Sequence, residues 1–298
     1  MRLRLLGLLG SLVFLLSASN APAQTPAQAP ARTPSTTQTT PPKRSLEREL
    51  LINLLRDQRD IWTSPLHIKA HDAWYLAPIG GAAAALIATD ENSSGALRDP
   101  HDNSGIAVSN NIAKIGGVYG IAGAIGGIYL FGLATHNDRA RETGILTAEG
   151  AVDGLIVFSV LKQMSRRPRP MVGDQEGRFF IGGNSFPSGH ATVSFTVATI
   201  IAKEYRKHRW VQIAAYGTAT AVGVSRFTGR AHFLSDVLIG SAIGYGIGSH
   251  VFNAHHDPEL DVNVDVPERS KLSKLMPQLA PSFNPVYKAY ALSARWNW

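Results

Sequence analysis

The stretch Arg226-Phe-Thr-Gly-Arg-Ala-His232-Phe-Leu-Ser-Asp236 places an imidazole and a carboxylate four residues apart. On a helix these two side chains would lie on one face, one turn apart. A carboxylate beside an imidazole fixes its tautomer and stabilises its charged form, which suits a histidine to act as nucleophile or base. Arg226 adds a planar cation that matches phosphate. A His–Asp pair at this spacing also arises by chance, so the rest of the chain has to decide.

Two upstream stretches carry related chemistry. Pro187-Ser188-Gly189-His190 precedes an apolar helical run, and a helix N-terminus offers free N–H groups and a positive dipole end to an anion. Lys162 precedes Arg169-Pro170 by seven positions within a strongly basic segment. That segment alone would also fit the basic flank of a membrane helix.

Together the three stretches resemble the signature of the type 2 phosphatidic acid phosphatase (PAP2) superfamily, which also includes bacterial acid phosphatases and vanadium haloperoxidases. The family pattern is Lys-x6-Arg-Pro, Pro-Ser-Gly-His and Ser-Arg-x5-His-x3-Asp. All its positions are filled in order, from Lys162 to Asp236, with Ser225-Arg226 opening the third motif. The resemblance covers roughly residues 73–252.

The resemblance implies a role for each motif residue. His232 would attack phosphorus and carry the phosphoryl group, with Asp236 orienting its far nitrogen. His190 would protonate the leaving oxygen and later activate water. The phosphate-binding residues would hold the oxygens on which charge develops, and they are Lys162, Arg169, Ser188, Gly189 and Arg226. Three fixed cations make a metal or other cofactor unnecessary in this mechanism, and vanadate is expected to bind as an inhibitor.

The N-terminal region predicts export. Residues 1–23 combine Arg2 and Arg4, a short apolar core and an Ala-x-Ala site, as a secretory signal peptide does. Residues 24–43 form a Pro/Thr/Ala/Gln tract that we interpret as a disordered linker. An amphipathic helix and its lead-in follow over residues 44–72, with a leucine-rich face that could lie on a membrane or, as we prefer, pack on the domain.

Composition limits the function classes. The chain has 298 residues, a net charge of +7 and no cysteine, so it depends on no disulfide. The basic balance could indicate nucleic acid, but no aromatic-basic RNA motif or zinc-finger spacing is present, and we expect no nucleic-acid partner. The length fits one domain, over residues 73–252, followed by a polar tail over residues 253–298.

Helical segments without strand-like alternation predict an all-α bundle of about six helices, with the site at one end. The predicted core helices are Trp74–Thr89, Ile115–Thr135, Thr143–Lys162, Ala191–Lys203, Val211–Val224 and Val237–Val251. Residues 90–114 are polar and predict a loop. Tyr290–Trp298 alternates like a strand.

Two groups of ionisable residues lie outside the motifs. Glu149 and Asp153 are expected on a wet face of their helix or near the site, rather than in a catalytic role. His255-His256 could bind a metal, but a solvated loop is the more frequent explanation for such a pair.

The basic loop 203–209 favours the cytoplasmic side, which places the site outside. We therefore predict an exported protein in the bacterial inner membrane with its active site facing the periplasm, or a soluble periplasmic enzyme. The predicted function is a metal-independent phosphatase acting on a lipid phosphate, a diphosphate or a small phosphoester. The alternatives are a soluble non-specific acid phosphatase, a vanadium haloperoxidase and an inactive binding protein.

Overall fold

The computed structural model describes residues 46–95, 103–172, 176–262, 278–284 and 289–295. The predicted signal peptide and linker lie outside these ranges. The described α-helices are α1 Leu46–Thr63, α2 Ala73–Gly95, α3 Asn103–Ala113, α4 Val118–Thr135, α5 Asp138–Ser165, α6 Gly189–Glu204, α7 Arg209–Thr228, α8 Leu234–His255 and α9 Glu259–Val262.

The all-α prediction is confirmed, since the predicted core helices correspond to α2 and α4 through α8. The loop predicted over residues 90–114 is largely wrong: residues 90–95 continue α2, and residues 103–113 form α3. The polar composition was misleading because these helices bury polar side chains. Asp90 and Ser109, for example, are both buried, and Asp90 is fully inaccessible.

Helices α5, α6 and α8 enclose the core, which contains Leu146, Val157, Ile200, Ile247, Val251 and Phe252. Glycines on α8 let it approach α6 closely. A Cβ atom at Gly244 would lie 2.1 Å from the carbonyl oxygen of Thr192, and one at Gly248 would lie 2.6 Å from that of Thr196. Small residues therefore set the distance between the two helices that carry His190 and Asp236.

Helices α4 and α5 are long and apolar enough to cross a membrane. Almost none of α4 is buried within the structure, and about half of α5 is. Leu130 and Phe131 of α4 are 63% and 57% exposed. Helix α5 begins where the Asn137 side chain accepts a hydrogen bond from the amide of Ala140, and it ends at Ser165, directly before Arg166, which has a left-handed backbone.

Helix α1 packs on the bundle, as preferred from the sequence, but it does so through its polar side. Asn53 and Asp57 are buried, whereas Leu51, Ile52 and Leu55 are 72%, 52% and 74% exposed. An amphipathic helix in this orientation presents its apolar face outward, which suits contact with lipid.

The segment predicted as a polar tail contains ordered elements. Helix α8 extends to His255, α9 follows, and two strands, β1 Gln278–Asn284 and β2 Ala289–Arg295, pair in antiparallel. Strand β2 coincides with most of the alternating stretch that the sequence marks as strand-like. Its partner β1 supplies the pairing that one strand alone cannot provide.

Candidate active site

Helix ends from four segments meet at one end of the bundle. Lys162 lies in the last turn of α5, His190 in the first turn of α6, Arg226 in the last turn of α7, and His232 just before α8. The connection between α5 and α6 folds back on itself. The amide of Phe180 donates a hydrogen bond to the carbonyl oxygen of Ser165, and the amide of Ser185 donates one to the carbonyl oxygen of Arg167.

His232 and Asp236 are buried together, with 2% and 0% exposure. The His232 Nδ1 atom lies 3.6 Å from Asp236 Oδ2, longer than a hydrogen bond. Ser185 lies beside both groups: its hydroxyl donates to Asp236 Oδ2 at 2.5 Å and is 3.4 Å from His232 Nδ1. Because Nδ1 faces Asp236, the other ring nitrogen, Nε2, is the one left for chemistry.

Asp236 is held by more than the histidine. The amide of Phe233 donates to its Oδ2 at 3.0 Å, and Arg167 Nη1 donates to its Oδ1 at 2.6 Å. Burial would raise the pKa of Asp236, but His232, Arg167 and Ser185 together hold it below the ordinary value. The carboxylate is therefore charged and fixed in place.

Arg167 belongs to the site region, although the sequence motifs did not single it out. It is fully buried, it donates to Asp90 Oδ2 at 2.8 Å and to the oxygen of Gly177 at 2.7 Å, and it stacks on the rings of Phe179 and Phe233. Ser235 bonds both the Arg167 guanidinium and the Asp90 carboxylate. In the sequence, the only indication that Arg167 turns inward is the high density of arginines in this segment.

The other motif cations face a common space. Lys162 Nζ donates to the oxygen of Asn184 at 2.6 Å, and Arg169 Nε donates to the Asn184 side chain at 3.1 Å. Asn184, another residue that the motifs did not identify, thus holds both cations. The backbone amide of His232 donates a hydrogen bond to the carbonyl oxygen of Arg226 at 3.2 Å, which holds the loop between these two residues in place.

Two donors of the motifs are buried without a hydrogen-bond partner among the described residues, namely Ser188 Oγ and Arg226 Nε. Ser188 is the N-cap of α6, and Gly189 begins that helix, where free amides point toward an anion. Unsatisfied buried donors beside a helix N-terminus are what a bound tetrahedral anion would satisfy.

His190 experiences strong positive charge. Burial and the charges of Arg226, His232, Lys162 and Arg169 lower its pKa to about 4. Burial also lowers the pKa of His232, although Asp236 opposes this. Both imidazoles are therefore neutral at neutral pH in the free site, and the surplus of positive charge favours an anion.

The three motifs that contain these residues lie in a segment that matches a known protein family. Residues 144–259 match the model of the PAP2 superfamily. The chain carries a PAP2 superfamily domain. That domain includes every motif residue from Lys162 to Asp236. The family prediction made from the three motifs is confirmed.

Individual proteins are similar to this chain over segments of different length. A lipid A 1-phosphatase of Porphyromonas gingivalis is 41% identical over 66 residues, which are 22% of this chain and 15% of that protein. A transmembrane PAP2-type phosphatidylglycerolphosphate phosphatase of Bacillus subtilis aligns over 74% of this chain and 97% of its own, with a TM-score of 0.45 and 22% identity. LpxE of Aquifex aeolicus aligns over 54% and 92%, with a TM-score of 0.42 and 19% identity.

Two carboxylate–histidine groups lie elsewhere in the PAP2 domain and its surroundings. Glu149 and Asp153 are fully buried rather than on a wet face, and His255 and His256 contact buried carboxylates rather than lying in a solvated loop. The sequence could not reveal this, because their partners lie on other helices.

Proposed function

We propose that this chain is a phosphatase that hydrolyses the phosphate ester or diphosphate of a lipid, through a phosphohistidine on His232. The observation that carries the proposal is the anion site itself. Lys162, Arg169 and Arg226 face two imidazoles there, and the buried hydroxyl of Ser188 and the Nε of Arg226 have no partner among the described residues.

In the first step, His232 Nε2 attacks phosphorus, and the bond from phosphorus to the leaving oxygen breaks. His190 donates a proton to that oxygen, so the product leaves as an alcohol or as a phosphate. Asp236 keeps the proton of His232 on Nδ1 and balances the positive charge that the phosphohistidine acquires. The cations hold the equatorial oxygens of phosphorus as charge develops on them.

In the second step, water attacks phosphorus on the opposite side from His232, and His190 accepts its proton. The bond from phosphorus to nitrogen breaks, and inorganic phosphate is released. His190 ends the cycle protonated and His232 neutral, ready for the next ester. The fixed cations supply the charge stabilisation, so no metal takes part in this proposed reaction.

A lipid substrate is supported by the surface near the site. The connection between α5 and α6 exposes Met171, Val172, Phe180 and Ile181, each more than half exposed. Together with the apolar exteriors of α4 and α1, these side chains suit a protein whose site opens at a membrane surface. The segment similar to a lipid A 1-phosphatase supports the same substrate class.

We place the site on the periplasmic side, because the basic loop at the other end favours the cytoplasm.

The test is phosphate release from a panel containing phosphatidate, phosphatidylglycerol phosphate, a polyprenyl diphosphate, lipid A and nitrophenyl phosphate. We expect hydrolysis of at least one lipid, full activity in EDTA, and inhibition by orthovanadate, which mimics five-coordinate phosphorus. His232→Ala should abolish both turnover and the phosphoenzyme. A strict magnesium requirement would contradict the mechanism, and vanadate-dependent bromide oxidation in place of phosphate release would favour a haloperoxidase.

A further inference from the structure

A second buried polar group lies where α1 crosses α5 and α8. We call it the midhelix cluster, and it consists of Asp57, Glu149, Asp153, His250 and His255. The three carboxylates are 1%, 1% and 0% exposed. Glu149 and Lys162 are separated by roughly 20 Å of helix at 1.5 Å per residue. The cluster is therefore separate from the phosphate site.

Nitrogen and oxygen atoms of the midhelix cluster already have the spacing of metal ligands. His255 Nε2 lies 2.9 Å and 3.0 Å from the two carboxylate oxygens of Asp57 and 3.6 Å from Glu149 Oε1. His250 Nε2 lies 3.0 Å from Asp57 Oδ1. Ligand atoms at about 2.0 Å from a tetrahedral zinc ion are about 3.3 Å apart. Small adjustments would bring these atoms around one ion.

Two buried carboxylate oxygens of the cluster, Glu149 Oε1 and Asp153 Oδ2, have no hydrogen-bond partner among the described residues. Leaving a buried carboxylate unpaired is costly, because no water compensates for the charge. The other oxygen of Asp153 accepts a hydrogen bond from the Gln58 side chain at 2.8 Å, which fixes the direction of the free one.

The charges within the cluster do not balance. Among the described residues, neither arginine nor lysine forms an ion pair with Asp57, Glu149 or Asp153. Even with His250 and His255 both protonated, three carboxylates would face only two positive charges. A bound cation would supply the missing positive charge in place of a proton on one of the three carboxylates.

The neighbouring acidic group differs in this respect. Glu142, Glu204 and Asp261 surround His256, and within the described part of the chain two of their oxygens also lack a hydrogen bond. Here, however, Arg139 contacts Glu204 and Asp261 at 3.4 Å and 3.1 Å, and Arg206 contacts Asp261 at 2.7 Å. Arginine charge thus balances carboxylates in this group, which makes it an ion-pair network and a suitable control.

We propose that the midhelix cluster binds one divalent transition-metal ion, with Asp57, Glu149 and His255 as ligands and with His250 and Asp153 as neighbouring donors. Imidazole and carboxylate together suit Zn²⁺, Mn²⁺ or Fe²⁺. The ion would take the place of the proton between His255 and Asp57. It joins α1 to α5 and α8 and has a structural role, so the proposed phosphatase chemistry does not depend on it.

The test uses the full chain in detergent, without a polyhistidine tag, stripped of metal and then dialysed free of chelator. Titration with Co²⁺ reports His and carboxylate ligation through its visible absorption, and elemental analysis after Zn²⁺ loading gives the stoichiometry. We expect one ion per chain in the parent and in His256→Gln. We expect loss of that ion in His255→Gln and in the isosteric Glu149→Gln.

Thermal unfolding supplies an independent readout. Zn²⁺ should raise the unfolding midpoint of the parent and of His256→Gln, because an ion that binds only the folded chain stabilises it. The midpoint of Glu149→Gln should not respond. If His255→Gln fails to fold, as judged by its helical circular dichroism, Glu149→Gln decides. Absence of stoichiometric binding to the parent, or binding retained in Glu149→Gln, would overturn the proposal.

Discussion

At the scale of single residues, Asp236 connects several parts of the candidate site. It bonds Ser185, Arg167 and the amide of Phe233, while His232 Nδ1 lies 3.6 Å away. Such distances often shorten only when substrate binds. The carboxylate is thus positioned by its surroundings before it has to orient the imidazole.

We expect Asp236→Asn to lower turnover strongly while largely preserving vanadate affinity. Asparagine keeps the shape but can stabilise the wrong imidazole tautomer and cannot balance a charged phosphohistidine. Loss of an orienting carboxylate in a serine protease lowers turnover by about ten-thousand-fold, which serves as a guide. Steady-state kinetics with vanadate inhibition constants are the measurement.

Arg226→Ala is the matched comparison, because it removes an anion contact instead of an orienting group. It should weaken vanadate inhibition as well as turnover. If Asp236→Asn turned over like the parent, the His–Asp spacing would be a helical coincidence.

His190 should take up a proton when the site binds an anion. Its pKa of about 4 in the free site results from burial and from the nearby charges of Arg226, His232, Lys162 and Arg169. A bound dianion offsets those charges and raises the pKa of His190, so near pH 6 the ring changes from neutral to protonated.

Calorimetry of sulfate binding in buffers of different ionisation enthalpy measures this uptake, since sulfate itself does not titrate near pH 6. The parent should take up more protons than His190→Ala does. Equal proton uptake by the two proteins would show that another group carries the proton.

At the scale of secondary-structure elements, Arg167 connects the segment after α5 to α2 and α8. Its guanidinium pairs with Asp90 at 2.8 Å and with Asp236 at 2.6 Å, all three groups being buried. A carboxylate of α2 is thereby tied to the helix that begins beside His232. Removing the arginine would leave two buried carboxylates without the cation that pairs with both of them.

We therefore expect Arg167→Met to destabilise the fold by about 3–5 kcal/mol, as does the loss of one partner of a buried ion pair. Arg166→Met is the control, because the Arg166 side chain is exposed and should change stability by no more than about 0.5 kcal/mol. Chemical unfolding of both variants in the same detergent is the measurement. Similar midpoints for the two variants would mean that Arg167 contributes little to holding α2 and α8 together.

At the scale of the whole molecule, the candidate site and the basic loop lie at opposite ends of α6. The site includes the first turn of this helix, and the loop follows its last residue, Glu204. If the bundle crosses a membrane, the two ends face different compartments. The prediction of a periplasmic site can then be tested by accessibility alone.

The chain contains no cysteine, so single cysteines can be introduced and labelled without any background. We expect Ile181→Cys, near the site, to react with a membrane-impermeant maleimide in cells whose outer membrane has been permeabilised. Lys207→Cys, in the basic loop, should react only after the inner membrane is opened. Both positions are exposed in the structure. The reverse pattern would place the site in the cytoplasm, and labelling of both from outside would indicate a soluble periplasmic protein.

The sequence by itself determined the family and the helical class, and it predicted the motif residues of the candidate site. It could do so because these depend on local information: the spacing within three motifs, the Pro-Ser-Gly-His turn before a helix, and apolar runs of helical length. His232 and Asp236 are neighbours along one segment, so their proximity follows from helix geometry alone.

Only the tertiary structure decided which polar residues turn inward. Arg167 meets Asp90 across 77 residues, and His255 meets Asp57 across 198. The tertiary structure likewise decided that α1 buries its polar face. The side of a helix that is buried depends on what its neighbours present, because a buried charge is tolerated only where a partner from another element lies beside it. No local pattern contains that information.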